Sequence, residues 1–392
     1  MKSFRKPLFW ILMFFLVLLV CCAAALGGYV IWGRPLINHP AQASAPIDSA
    51  SREATTSVLG YQMNQYYLQN NMGKWMETAD QAVALDPDNY QLHYYRANMF
   101  QTQAEIQKGL VQHMEILAKG LDDINRAILI DPSNGDGYSM RAIILYDFGE
   151  GYPFRADREY YYRLALENIN YAVPLKSPRN LHPERYQVKY EVYLQNCENA
   201  LIETRQLEKT ISPENVVPPT LESLYESVYA CQGDYQKAYD YHLASLKKTE
   251  KTEDRPAVTA IYLYQLGKVD EAVSLINTAL SAPGAIKGPL YFVRAAIEYD
   301  HSQYAQALQD ADMADRNSWS AGTFSAYFEG LEAVRKGQKD EAINKLQYAE
   351  ATLETEFNFA IIRSRAELEK IGAKTLVVTP SVHFSATPMP QK

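Results

Sequence analysis

The sequence lacks the short motifs that mark the common catalytic and metal sites. It contains no glycine-rich phosphate loop, no HExxH, no CxxC and no nucleophile elbow, which excludes the enzyme classes that carry them. No two of its seven histidines stand at the spacing of metal ligands on one helix, and we expect His242 to be a core residue. We therefore predict a protein that is not an enzyme and has no cofactor and no metal.

Positive charge is also scarce. The 392 residues include 38 Lys and Arg against 46 Asp and Glu, for a net charge of −8. The one short basic group, Lys247, Lys248 and Lys251, stands beside acidic residues and is typical of a solvated turn. Because a phosphate backbone requires clustered basic side chains, we predict that nucleic acid is not a partner.

Charge is absent altogether from residues 8–32, which follow three positive charges in residues 1–7. A helix of 25 residues rises about 37 Å, enough to cross a hydrocarbon core of about 30 Å. The basic flank favours a cytoplasmic N-terminus. We predict a signal-anchor in residues 1–33 of a single-pass membrane protein, with the soluble domain on the extracytoplasmic side.

A cleaved secretory signal is the alternative reading of this segment. Ala23–Ala25 would suit a cleavage site, but the apolar run continues to Trp32, whereas a signal peptide usually has only about 7–15 apolar residues. The sequence leaves open whether the segment is cleaved. Residues 34–56 are small, polar and proline-rich, which predicts a linker.

What the sequence does contain is a repeat. A phrase that begins with glycine or serine and ends with alanine recurs between Gly233 and Ala349, and its final alanines are 34, 35 and 35 residues apart. This period is typical of a solenoid of helix pairs. Glycine at the turn tolerates positive φ and ends the first helix. The alanine lets the second helix approach closely. The four alanines are Ala238, Ala272, Ala307 and Ala342.

These residues resemble tetratricopeptide (TPR) repeats, although Lys339 stands where the family has an aromatic residue. The match is best at Ala260, Leu263, Gly267, Val269, Ala272 and Ala279, and again at Gly330, Gly337, Ala342 and Ala349. The resemblance implies an all-α fold, a right-handed superhelical solenoid of antiparallel helix pairs. We predict that one transmembrane helix, in the uncharged run described above, precedes this solenoid.

The rest of the chain is predicted from breakers and periodicity. Pro87 and Pro132 end two helices 45 residues apart, so we expect elongated helices around 101–119, and a long helical pattern runs from 184 to 209. The number of repeats in the first half stays open. The predicted divisions are atypical, elongated TPR-like pairs at 57–212, regular repeats at 213–352, a capping helix at 353–372 and a disordered tail at 373–392.

In the TPR family the first helix of each pair lines a concave groove. The residues that bind a terminal carboxylate in some members are missing here. The resemblance places Ser223, Ser227, Ala230 and Cys231 on the concave side of the first regular repeat. The resemblance implies a protein-binding groove formed by Ile261, Tyr264, Phe292, Tyr299, Tyr327, Leu331 and Arg335. The alternative is that these side chains pack in the core between repeats.

Cys197 and Cys231 are 34 residues apart, close to the repeat length. Equivalent positions on successive helix pairs lie about 9–10 Å apart, whereas a disulfide requires Cα atoms closer than about 7 Å. We therefore predict two free thiols.

The function predicted from these features is that of a membrane-anchored TPR scaffold or adaptor of the cell envelope. It would bind a protein or peptide partner in the groove of its exported domain and contact the membrane through its N-terminal helix. Two alternatives stay open: a self-assembling structural envelope protein that forms a homo-oligomer, and an enzyme with a site in residues 90–212. The sequence does not identify the partner, the pathway or the oligomeric state.

Overall fold

The computed structural model is helical throughout the part of the chain that it describes, with seventeen α-helices and one short 3-10 helix. The described residues are 49–69, 71–107, 110–175, 177, 182–210, 220–249, 255–318 and 322–374. The helices are α1 (Ser49–Leu68), α2 (Met72–Leu85), α3 (Tyr90–Glu105), α4 (Leu110–Ile130), α5 (Gly135–Glu150), α6 (Arg155–Ala172), α7 (Pro183–Tyr193), α8 (Cys197–Glu208), α9 (Leu221–Cys231), α10 (Tyr235–Thr249), α11 (Pro256–Gln265), α12 (Val269–Ser281), α13 (Lys287–Asp300), α14 (Tyr304–Arg316), α15 (Thr323–Arg335), α16 (Lys339–Thr352), the 3-10 helix Thr355–Phe357 and α17 (Asn358–Lys370).

The chain divides into two compact units, Met1–Val58 and Leu59–Lys392. In the first unit only residues 49–58 are described, and they form the beginning of α1. This helix begins inside the predicted linker, because Ala50 and Glu53 favour helix and no proline follows Pro46 there.

The predicted membrane anchor, residues 8–32, lies outside the described residues, as do most of the predicted linker and the tail from residue 375. Of the helices that are described, none is both long and apolar enough to cross a bilayer.

Helices α3 to α16 pack as seven consecutive pairs, each joined by three or four residues. The turns confirm the predicted role of glycine, since φ is 76° at Gly233, 72° at Gly267 and 71° at Gly337. At the remaining turn, which lies between those of Gly267 and Gly337, Ser302 occupies the same left-handed region with φ of 62°. The fold is an all-α, TPR-like repeat solenoid.

Small residues set the distance between helices. The four repeat alanines are fully buried, as their spacing predicts: Ala238, Ala272, Ala307 and Ala342. Gly330 has the same role, since a Cβ atom there would lie 2.7 Å from Cγ of Leu346. Helices α3 and α4 have 16 and 21 residues, and this extra length accounts for the wider proline spacing in the first half.

The long helix predicted from 184 to 209 is wrong, because the chain turns between α7 and α8. Gln195 adopts φ of 61° at this turn. It stands five residues before the fully buried Ala200, just as Gly233 stands five residues before Ala238. The pair is therefore a regular helix pair in which glutamine replaces the turn glycine. The signal that could have identified it is the alanine five residues after Gln195.

Ala342 provides a test of the helix-pair register. Ala342→Leu is expected to lower the free energy of unfolding by about 1–3 kcal/mol, because the larger side chain must enter a filled interface. Ala305 is exposed on α14, so Ala305→Leu should change that free energy by no more than about 0.5 kcal/mol. Denaturant titration of both variants measures the difference. Equal changes would show that the register is wrong.

Candidate functional site

The prediction of two free thiols is wrong: Cys197 and Cys231 form a disulfide, with Cα atoms 5.7 Å apart. Cys197 is the first residue of α8 and Cys231 is the last residue of α9. Because the two helices are neighbours that run in opposite directions, the beginning of one lies beside the end of the other. The spacing of 34 residues therefore does not mark equivalent repeat positions.

The seven groove candidates differ widely in exposure. Phe292 and Tyr327 are fully buried, and Tyr264 is half-buried. Arg335 is exposed, and its guanidinium lies over the ring of Tyr304. The other three candidates are less than a tenth exposed: Ile261, Tyr299 and Leu331.

The C-terminal segment, residues 353–371, packs on Tyr264, Phe292 and Tyr299 of this set. The ring centroid of Phe357 lies 4.9 Å from that of Phe292, and that of Phe359 lies 5.8 Å from that of Tyr264. The segment contains α17, in the range predicted for the capping helix, and it reaches back from α16 to α13 and α11.

The open aromatic groove expected from the sequence is therefore not found, because the chain's own C-terminal segment fills it. Arg363 of α17 donates a hydrogen bond to Asp300 of α13 over 2.7 Å, and its guanidinium lies 5.5 Å from the ring centroid of Tyr299. The binding of a partner by the seven candidates stays a prediction. In this structure a partner would reach Phe292 or Tyr327 only after the C-terminal segment had left.

A cavity of about 290 Å³ remains beside the filled groove. Its wall is formed by α5, α6, α7, α9 and α11, together with the C-terminal segment. Ile261 is the one groove candidate that lines it. Ser227, Ala230 and Cys231 also line it. They are three of the four residues of α9 that the TPR resemblance placed on the concave side.

Two arginines of α6 that line this cavity bind the end of α16 and the first residue of the C-terminal segment. Arg158 donates from Nη2 to the carbonyl oxygens of Thr352 and Leu353, each over 3.0 Å. Its Nη1 donates to the carbonyl oxygens of residues 152 and 153, over 3.2 and 3.0 Å. Arg155 pairs with the buried carboxylate of Glu350. The bonds from Nη2 of Arg158 join residues that are separated by 194 and 195 positions in the sequence.

Glu226 of α9 is the most buried acid on the cavity wall, with an exposed fraction of 3%. Its Oε1 accepts a hydrogen bond from the Tyr262 hydroxyl over 3.1 Å and lies 3.1 Å from Nδ1 of His242. Within the described ranges, its Oε2 has no hydrogen-bond partner. His242 is a core histidine, as expected, and its Nε2 lies 2.8 Å from the Thr259 hydroxyl oxygen.

Two further acids, Glu354 and Glu356, line the cavity from the C-terminal segment. Both side chains are accessible, but protein encloses them on the other sides. This desolvation, with the charge of Glu354, raises the pKa of Glu356 to about 7, and Arg255 opposes the shift. Desolvation also raises the pKa of Glu354, helped by Glu150. A positive group entering the cavity would favour the charged form of both acids.

Tyrosines form the opposite part of the wall. The rings of Tyr146, Tyr162 and Tyr193 pack on one another, with centroids 5.3–5.5 Å apart. The hydroxyl of Tyr162 donates to Glu150, and burial raises the pKa of this tyrosine. The cavity thus combines carboxylates with aromatic faces. No group of three His, Cys, Asp or Glu side chains that could hold a metal occurs in the described ranges.

A solved structure supports the fold assignment. A tetratricopeptide repeat protein from Parabacteroides merdae aligns with 69% of this chain and 96% of its own, with 14% identity and a TM-score of 0.52. At this identity the similarity shows the fold alone. Human IFIT1, solved as a dimer with PPP-AAAA, aligns with 78% of this chain and 69% of its own at 16% identity and a TM-score of 0.45. No protein-family model and no curated protein matches the chain.

Proposed function

We propose that this chain is a protein-interaction scaffold that binds a segment of a partner protein in the cavity. The observation that carries the proposal is the wall itself, which concave positions of α9 and α11 share with the C-terminal segment. TPR-like solenoids commonly present such concave surfaces to partners. In this proposal the partner first contacts the cavity, and not the aromatic groove that the C-terminal segment fills.

We further propose that the scaffold is anchored in a membrane, with residues 34–392 exported. Two features support this topology. One is the uncharged run from residue 8 to residue 32 after basic residues. The other is the Cys197–Cys231 disulfide, since such bonds persist in oxidising compartments.

We propose binding for the cavity, and not catalysis. Its arginines on α6 are engaged by backbone carbonyls and by Glu350, and its tyrosines are stacked on one another. Groups that are engaged in this way support the shape of the cavity. Self-association stays an alternative, and the following experiment would detect it as an adduct between two copies.

The test is site-specific photo-crosslinking in cells. A photoreactive phenylalanine analogue replaces Ser227, an exposed residue on the cavity wall. The matched control places it at Ser274, an exposed residue of α12 that does not line the cavity. We expect a discrete adduct with another protein at position 227 and none at 274. Equal adducts at both positions, or none at 227, would refute the proposal.

A further inference from the structure

The charges on the cavity wall are not equally available to a ligand. Arg158 is occupied by four backbone carbonyls, and Arg155 is occupied by Glu350 and Glu159. Glu354 and Glu356, in contrast, form no hydrogen bond or ion pair through their side chains within the described part of the chain. Arg255 is the third arginine on the wall; its side chain is 57% exposed and its Nη1 lies 3.8 Å from Oε1 of Glu226. Among the lining residues, the carboxylates left to meet a ligand therefore outnumber this one partly paired cation.

Glu226 points to the same conclusion independently. It is buried to 3% exposure on the cavity wall, and its Oε2 has no hydrogen-bond partner among the residues that the structure describes. Nη1 of Arg255 lies 3.8 Å from the other oxygen. Buried carboxylate oxygens are nearly always hydrogen-bonded in folded proteins. A donor supplied by a ligand would satisfy this one.

The tyrosine cluster adds a second kind of attraction. An aromatic face attracts a cation that lies within about 6 Å of its centroid. The Nζ atom of Lys189 already lies 4.7 Å from the ring centroid of Tyr146 and 5.4 Å from that of Tyr193. These rings line the cavity, and the contacts of Lys189 show that they accept an ammonium group, for which a cationic ligand would compete.

We propose that the cavity binds the side chain of a lysine or arginine from the partner protein, with Glu226, Glu354 and Glu356 as its acceptors. The inference rests on the proposed function and names the chemistry of the partner. Glu150 adds a fourth carboxylate to the wall, so a phosphate-bearing ligand such as RNA would meet repulsion instead.

The experiment measures peptide binding to the full-length chain by isothermal titration calorimetry. The probe is the blocked pentapeptide acetyl-Gly-Gly-Lys-Gly-Gly-amide, and its controls replace lysine by norleucine or by glutamate. We expect the lysine peptide to bind about tenfold more tightly than the norleucine peptide, because only the ammonium group can pair with the carboxylates. The double variant Glu354→Gln, Glu356→Gln should lose this preference.

The matched control is the double variant Glu271→Gln, Glu341→Gln, which removes two exposed acids at the starts of α12 and α16 and should keep the preference. Unchanged thermal melting of both double variants excludes a folding defect. Three results would each overturn the inference: no binding of the lysine peptide at millimolar concentration, equal binding of the norleucine peptide, or tighter binding of the glutamate peptide. If the Ser227 adduct persists in any of these cases, the scaffold function stands and only the cation preference is lost.

Discussion

Phe292→Ala is expected to lower the free energy of unfolding by about 3–5 kcal/mol. The ring is fully buried and packs against Phe324 and Phe357, with centroid distances of 4.5 and 4.9 Å. Its removal would leave a void shared by α13, α15 and the C-terminal segment. Chemical denaturation of the full-length chain measures the effect.

The matched control for Phe292→Ala is Ile362→Ala on α17. Ile362 is 52% exposed, so this change should alter the free energy of unfolding by no more than about 0.5 kcal/mol. A Phe292→Ala variant that kept its stability and lost the partner would show instead that the ring serves an accessible groove. The comparison thus separates the two interpretations that the sequence left open.

Replacement of Cys197 and Cys231 by alanine is expected to lower the free energy of unfolding by about 3–4 kcal/mol. The disulfide joins residues 34 positions apart, and closing a loop of this length removes that much conformational entropy from the unfolded chain in the simplest model. Denaturation of the double variant, and of the parent protein with and without reductant, measures the effect.

The same cysteines also test the proposed topology. In intact cells, an alkylating agent should leave Cys197 and Cys231 unmodified until a reductant is added, because an exported domain keeps its disulfide. Replacing Cys21 and Cys22 by alanine should change neither the stability nor the alkylation of the other pair. Full alkylation without reductant, together with equal stability of the alanine variant, would show that the bond is not formed.

The parts of the fold that could be predicted from the sequence are those set by local rules. The turn at Gly267 requires positive φ, and Ala272 must be small because the paired helix lies against it. Each requirement restricts the residue type at one position of the repeat, and that residue type therefore recurs at the repeat period. The burial of Ile261 could not be assigned to cavity or core in the same way, because it depends on a segment almost a hundred residues further along the chain.

Other features left no periodic signal at all. Arg158 binds carbonyl oxygens, and every residue has a carbonyl, so no partner residue type marks the contact. The prediction that Cys197 and Cys231 are free rests on reading their spacing of 34 residues as that of equivalent positions on successive helix pairs. The turn at Gln195 instead puts Cys197 at the start of α8, beside the end of α9. Once that turn is known, the geometry of antiparallel neighbours brings the two cysteines together.

The Arg158 contacts also change how the solenoid should unfold. In a simple repeat array each unit touches only its neighbours, so stability is close to a sum over adjacent pairs, and the ends can fray one unit at a time. Here α6 is hydrogen-bonded to the backbone that follows α16, so the C-terminal units cannot detach without breaking bonds to the first half. We therefore expect the intervening repeats to unfold within one cooperative unit.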